Sequence, residues 1–105
     1  DGNESFIQNI LRIAGQLPFQ IKAYKTYPNP ASNVINTIVY APYNTKGIYQ
    51  IMDSYGKILI TIPITVIAGD NILQADVSKL GRGMYYAKVI CNIGGETNAK
   101  AFIKQ

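Results

Sequence analysis

Six carboxylates (Asp1, Glu4, Asp53, Asp70, Asp76 and Glu96), one thiol at Cys91 and no histidine are what these 105 residues offer as ordinary acids, bases and nucleophiles. Without an imidazole, Cys91 lacks its usual activating base, and the commonest zinc ligands reduce to a single sulfur. The alternation Tyr85, Ala87, Val89, Cys91 places the thiol on an apolar side, which predicts a buried, inert cysteine. Asp53, Asp70 and Glu96 stand beside or close to turn glycines, where carboxylates commonly accept from the backbone. No motif supports a carboxylate pair for glycoside hydrolysis, and Gly69-Asp70-Asn71 is too sparse for a calcium loop. These residues predict a protein that is not an enzyme and takes no cofactor or metal.

The remaining chemistry is recognition. Tyr40, Tyr43, Tyr49 and Tyr55 are candidates for a sugar- or protein-binding platform, although packing is the commoner fate of any one tyrosine. Ten Lys and Arg against six Asp and Glu give a net charge of +4, but the basic residues are spread singly between Arg12 and Lys104. Nucleic-acid binding would cluster them on one segment or face, so no nucleic-acid partner is predicted. No apolar run approaches the roughly 20 residues of a membrane helix, so stable membrane insertion is not expected either.

The elements that position these groups are strands. A hydrophobic content of 48%, only 15% charged residues and eight tyrosines favour a single β domain large enough to fold without disulfides. Strand-like runs cover Phe19–Tyr27, Asn33–Tyr40, Gly47–Asp53, Lys57–Ile62 with a continuation over Ile64–Ala68 after a bend at Pro63, and Ile72–Val77. Two further runs form the end of the chain. About seven short strands with turn residues between them predict a β-sandwich, with a small barrel as the alternative. Asp53-Ser54-Tyr55-Gly56-Lys57 has the pattern of a type I turn with a bulge. Pro28 and Pro30 hold Tyr27 and Asn29 extended and donate nothing to a ladder, which places this stretch at an edge or at a crossing between sheets. Upstream, Ser5–Ala14 allows a short amphipathic helix between Ser5 and Gly15, or a strand or linker left from a preceding domain. The start at Asp1-Gly2-Asn3, without a methionine, suggests a piece of a longer chain.

The chain is organised around its last quarter. Leu80 to Cys91 and Thr97 to Gln105 flank Gly94-Gly95, the pattern of a β-hairpin. Met84, Tyr86, Lys88 and Ile90 form its predicted outer face. On the closing strand Lys100, Phe102 and Lys104 share one face, and Thr97, Ala99, Ala101 and Ile103 the other. Such a strand end with two lysines offers a docking edge for a partner or a route to a weak dimer; equally, the lysines serve to block edge-to-edge aggregation.

Taken together, these stretches resemble the C-terminal sorting domain of the type IX, or Por, secretion system of Bacteroidetes-type bacteria. The resemblance runs through Tyr27-Pro28-Asn29-Pro30-Ala31, the Asp53 to Lys57 turn, Asn71 to Leu80, Gly83-Met84-Tyr85 and Lys100 to Gln105, and covers residues 24–105. It implies an all-β, Ig-like sandwich attached behind a passenger domain, with residues 1–23 as a linker or remnant. It further implies transit through the periplasm, recognition by the secretion machinery, removal by a sortase-like peptidase, and a final location at the cell surface or outside the cell. Under this reading Gly83, Tyr85, Lys100, Phe102, Lys104 and Gln105 carry recognition, while Pro28, Asn29, Pro30, Asp53, Gly56 and Lys57 build the scaffold. An Ig-like adhesion or carbohydrate-binding module is the alternative.

Overall fold

A computed structural model describes residues 20–105; the expected helix or linker over Ser5–Ala14 lies outside the described residues. Alternating β-branched and aromatic residues form β1 (Lys22–Tyr27), β2 (Val34–Ala41), β3 (Thr45–Asp53), β4 (Ile58–Val66), β5 (Gly69–Asp76), β6 (Gly83–Cys91), β7 (Gly95–Glu96) and β8 (Lys100–Lys104). One sheet has the order β1-β2-β5, and the other β4-β3-β6, with β7 and β8 both pairing with β6. All these pairings are antiparallel.

The adjacency of β3 and β6, separated in the chain by β4 and β5, gives the Greek-key connectivity of an Ig-like sandwich. β1, β2 and β5 take positions A, B and E; β3, β6 and the β7–β8 pair take C, F and G, and β4 lies beyond C. The expected all-β, Ig-like sandwich is what the chain forms. The bend expected at Pro63 is absent: β4 runs unbroken, with Pro63 opposite Ile48. An edge strand tolerates this, because a residue there can do without one ladder donor.

The core is made where the inward positions of the sheets meet, with Ile35 and Val39 of β2, Tyr49 and Ile51 of β3, Ala87 and Val89 of β6, Val66 and Phe102 all buried. Ile21 and Ala23 are already part of it. Tyr49 and Thr37 are each fully buried, and their hydroxyls meet at 2.6 Å, a polar tie between the two sheets. The tyrosine therefore supplies packing volume and satisfies a buried hydroxyl at the same time.

Burial pushes the Tyr49 phenol above its ordinary value, with the Thr37 hydrogen bond opposing, and burial also pushes the Cys91 thiol up. Both groups hold their protons to higher pH in the folded chain than in the unfolded one. Their contribution is complete below the ordinary values of 9.0 for the thiol and 10.0 for the phenol, and is lost as pH rises past them. Tyr49→Phe should cost about 1–2 kcal/mol at neutral pH by stranding the Thr37 hydroxyl. It should also shrink the loss of stability between pH 8 and about pH 11, measured by urea unfolding across that range. An alkaline limb as steep as that of the parent chain would place the titration elsewhere.

Candidate functional site

The recognition residues expected from sequence converge on the closing hairpin. β6 and β8 pair in the register Gly83 with Lys104, Met84 with Ile103, Tyr85 with Phe102, Tyr86 with Ala101 and Ala87 with Lys100. The Tyr85 ring lies 5.9 Å from that of Phe102 at an interplanar angle of 28°. Its hydroxyl donates to the Gly81 carbonyl at 2.8 Å. A tyrosine near the start of strand F that reaches back to the backbone just upstream is the tyrosine corner of Ig-like sandwiches. Gly83, between them, has φ 153°, a conformation that a side chain would strain. The Gly-x-Tyr element thus fixes how the chain enters β6, and with it the seat of the last strand.

At the hairpin's far end Gly94 and Gly95 both have positive φ, 98° and 76°, as the double glycine predicts. Lys88 and Glu96 pair across the strands at 3.1 Å. Between β7 and β8 the register moves by one residue, from Ile90 with Glu96 to Ala87 with Lys100. This one-residue bulge is held by Thr97, whose amide donates to the Val89 carbonyl while its Oγ1 accepts from the Val89 amide.

The bulge reverses the alternation, so that Thr97 and Phe102 both face inward. Phe102 is 1% exposed and Lys104 7% exposed, with the Lys104 ammonium turned onto the main-chain oxygen of Gln105 at 2.7 Å. The expectation of an accessible Lys100–Phe102–Lys104 face is therefore corrected: Lys100 is half-buried, Phe102 is core, and Lys104 covers the rim with its stem. The solvent face carries Ala101, Ile103 and Gln105 instead, with Met84 directly opposite Ile103. A single Lys-x-Phe-x-Lys alternation cannot signal this, because Thr97 sits an odd number of residues from Phe102.

The expected open edge is also corrected. The stretch after β1 lies along β8: Asn29 Oδ1 accepts from the Ile103 amide at 2.9 Å, and the Ala31 amide donates to the Ile103 carbonyl at 2.7 Å. The Gln105 amide donates to the Ala31 carbonyl at 2.9 Å, making a short parallel bridge between Ala31 and β8. Thr26 Oγ1 reaches the Ala101 carbonyl at 3.4 Å. Pro28 and Pro30, both preceded by cis peptide bonds, flank the asparagine that makes the side-chain contact. The terminal strand is thus hydrogen-bonded on both sides along its C-terminal half, and edge pairing there would first have to displace residues 29–31.

The other motif residues serve turns. Asp53 Oδ1 accepts from the Tyr55 and Lys57 amides, each at 2.9 Å, and Gly56 takes φ 84°, as the bulged turn requires. Asn71 closes the β4–β5 turn: its side chain accepts from the Ile67 amide and donates to the Ile67 and Gly69 carbonyls. The Ser78 hydroxyl, and then its amide, hold the Asp76 carboxyl below its ordinary value. Asp76 Oδ1 accepts from that amide at 2.9 Å.

The tyrosines form no common platform. Tyr49 is in the core, the commoner fate expected of any one of these tyrosines, which removes it as a candidate for the platform, and Tyr55, 95% exposed, sits on the β3–β4 turn. Tyr43 lies at the opposite end of β3, which at the usual rise is about 30 Å away. Among the described residues no group of three or more His, Cys, Asp or Glu could hold a metal ion.

Against known proteins, the model of the secretion system C-terminal sorting domain matches residues 25–105. No curated protein sequence matches the chain. The crystal structure of dimeric latent PorU from Porphyromonas gingivalis is similar, with a TM-score of 0.65 and 21% identity over 78% of this chain. The chain spans only 9% of that protein's length, and the likeness is one of fold. With the family's model covering the sandwich from the second half of β1 through the closing strand to Gln105, this chain belongs to the secretion system C-terminal sorting domains, signals that direct an attached protein across the outer membrane by type IX secretion.

Proposed function

We propose that the secretion machinery reads the solvent face of the closing hairpin. Met84 and Ile103, directly paired across β6 and β8 and 48% and 47% exposed, carry this reading. Ala101 beside them is small, so two apolar side chains stand out on a flat strand face next to Gln105. The signal acts as a folded address label and not as a catalyst. It follows a passenger domain through the periplasm, and a sortase-like peptidase releases the passenger at the cell surface. Gln105 borders the apolar pair, while Gly83, Tyr85, Lys100, Phe102 and Lys104, turned to the other side, hold it in position.

A fluorescent reporter with an inner-membrane signal in front and the 105-residue chain behind tests this in bacteria with and without a working type IX translocon. Reporter should reach the surface or the medium only in the first strain. Ile103→Asp, which leaves the core untouched, should lower export about tenfold or more, as loss of a central interface contact would. Its melting temperature should stay near that of the parent chain. Export of Ile103→Asp at the parent level would move the recognition surface off this face.

A further inference from the structure

The sandwich is closed on one side and open on the other. On the closed side, residues 26–31 run beside β8, and the Ile21 amide donates to the Gly94 carbonyl. On the open side β5 ends one sheet and β4 the other, and no hydrogen bond joins these two strands among the described residues. The sheet containing β4 is the wider, so Ile60, Ile62 and Ile64 extend past the facing sheet and remain half-buried. The place beside β5, which strand D fills in sandwiches with a four-stranded ABED sheet, is vacant among the described strands.

β1, β4 and β8 each carry a device that obstructs main-chain pairing, whereas β5 carries only the charges of Asp70 and Asp76, which leave its main-chain edge clear. β1 has a register irregularity between Ala23 and Lys25, flanked by Lys22. β4 has Pro63 and an extra residue opposite Ile51 and Met52. β8 is covered by Asn29 and Ala31. β5 pairs with β2 through eight consecutive residues without a slip, and contains no proline and no lysine. The bond from the Val77 amide to the Asn33 carbonyl sets the phase of that ladder. It follows that the amides and carbonyls of Asp70, Ile72, Gln74 and Asp76 point away from β2.

We propose that this edge is a docking site for an extended segment of a partner protein, one with apolar side chains at alternate positions and basic residues toward both ends. Pairing with β5 supplies the main-chain bonds. The partner's inward side chains cover Ile60, Ile62 and Ile64, and one of them enters the pocket of about 350 Å3 lined by Leu59, Ile60, Asp76, Lys79 and Leu80. Its outward side chains lie beside Asp70, Ile72 and Asp76. The two carboxylates are six residues, or about 20 Å, apart on one face, which selects for a cation toward each end of the incoming strand. The same carboxylates disfavour a second copy of this chain, because antiparallel pairing of β5 with itself centred on Leu73 would set Asp70 opposite Asp76 twice. This site is separate from the solvent face of the closing hairpin and does not depend on that face being read.

The test uses the full chain and the synthetic heptapeptide Lys-Val-Thr-Val-Thr-Val-Lys, whose two lysines share one face six residues apart, with the same peptide ending in glutamates as a control. Amide hydrogen exchange at Ile72 and Gln74 should slow by about tenfold or more at saturating lysine-ended peptide, and remain unchanged with the glutamate-ended one. Ile72→Pro removes a donor that the fold does not use, so the variant should melt close to the parent chain and lose the protection. Asp70→Lys should weaken the lysine-ended peptide about threefold or more. Absence of slowing, slowing confined to β1 or β8, or binding indifferent to Ile72→Pro would overturn the proposal. So would protection of β5 without peptide, whether it rises with protein concentration, as for a second copy, or is independent of it, as for occupation by residues 1–19.

Discussion

Phe102→Ala should lower the stability of the domain by about 3–5 kcal/mol, the usual cost of emptying a buried aromatic site. For a domain of this size that corresponds to a fall in melting temperature on the order of 15–30 °C. The ring is 1% exposed and stacked on Tyr85, and β8 is a strand of only five residues. Removing its one large buried apolar side chain leaves β8 held by main-chain bonds to β6, by the stem of Lys104 and by the contacts of residues 26–31. Ile103→Ala, one position further on and half-exposed, should change stability by no more than about 0.5 kcal/mol. The two substitutions separate holding the signal from displaying it: Phe102→Ala should lose fold and export together, and Ile103→Asp only export. A loss below about 1 kcal/mol for Phe102→Ala, measured by urea unfolding, would mean that the closing strand adds little to the core.

Strand alternation and turn residues made most of this fold legible in the sequence. The outer set Met84, Tyr86, Lys88 and Ile90 follows the alternation of β6, and the turns at Asp53 to Lys57 and at Gly94-Gly95 follow from residues whose backbone preferences are strong and local. The closing strand was legible in place but not in facing. The bulge at Thr97 depends on one hydroxyl finding the Val89 amide, and no local pattern announces that. Tyr49 shows the same limit: an aromatic on a strand is compatible with either face, and only the position of Thr37 on the other sheet decides it. The role of Asn29 could not be read locally either, since its partner Ile103 is 74 residues away. The prolines on either side of it signal an edge without saying which strand that edge belongs to.

Gly47 is the residue whose substitution the sheet tolerates least: the sequence reads it as the start of a strand, and β3 begins two residues before it, at Thr45. A glycine inside a strand between Lys46 and Ile48 suggests that another backbone comes close. In the structure Gly47 pairs with Cys91 at the centre of the wider sheet. A Cβ added there would fall on the Ile90 carbonyl oxygen, 2.8 Å from Cys91 Cα and 3.0 Å from its Sγ. Two of these three atoms are backbone, and β6 cannot retreat from β3 without loosening its own hold on β8. Gly47→Ala should therefore cost about 3 kcal/mol or more, above the common range for a strand glycine replaced by alanine because main-chain atoms must move. The double variant Gly47→Ala with Cys91→Ala removes the sulfur contact and leaves the carbonyl oxygen and Cα in place, so it should recover little of the loss. Recovery of most of the lost stability in a double-mutant cycle would instead make the thiol the obstacle. Failure of both variants to fold, with Cys91→Ala alone folding normally, would place the constraint in the backbones of β3 and β6, the strands that seat the signal.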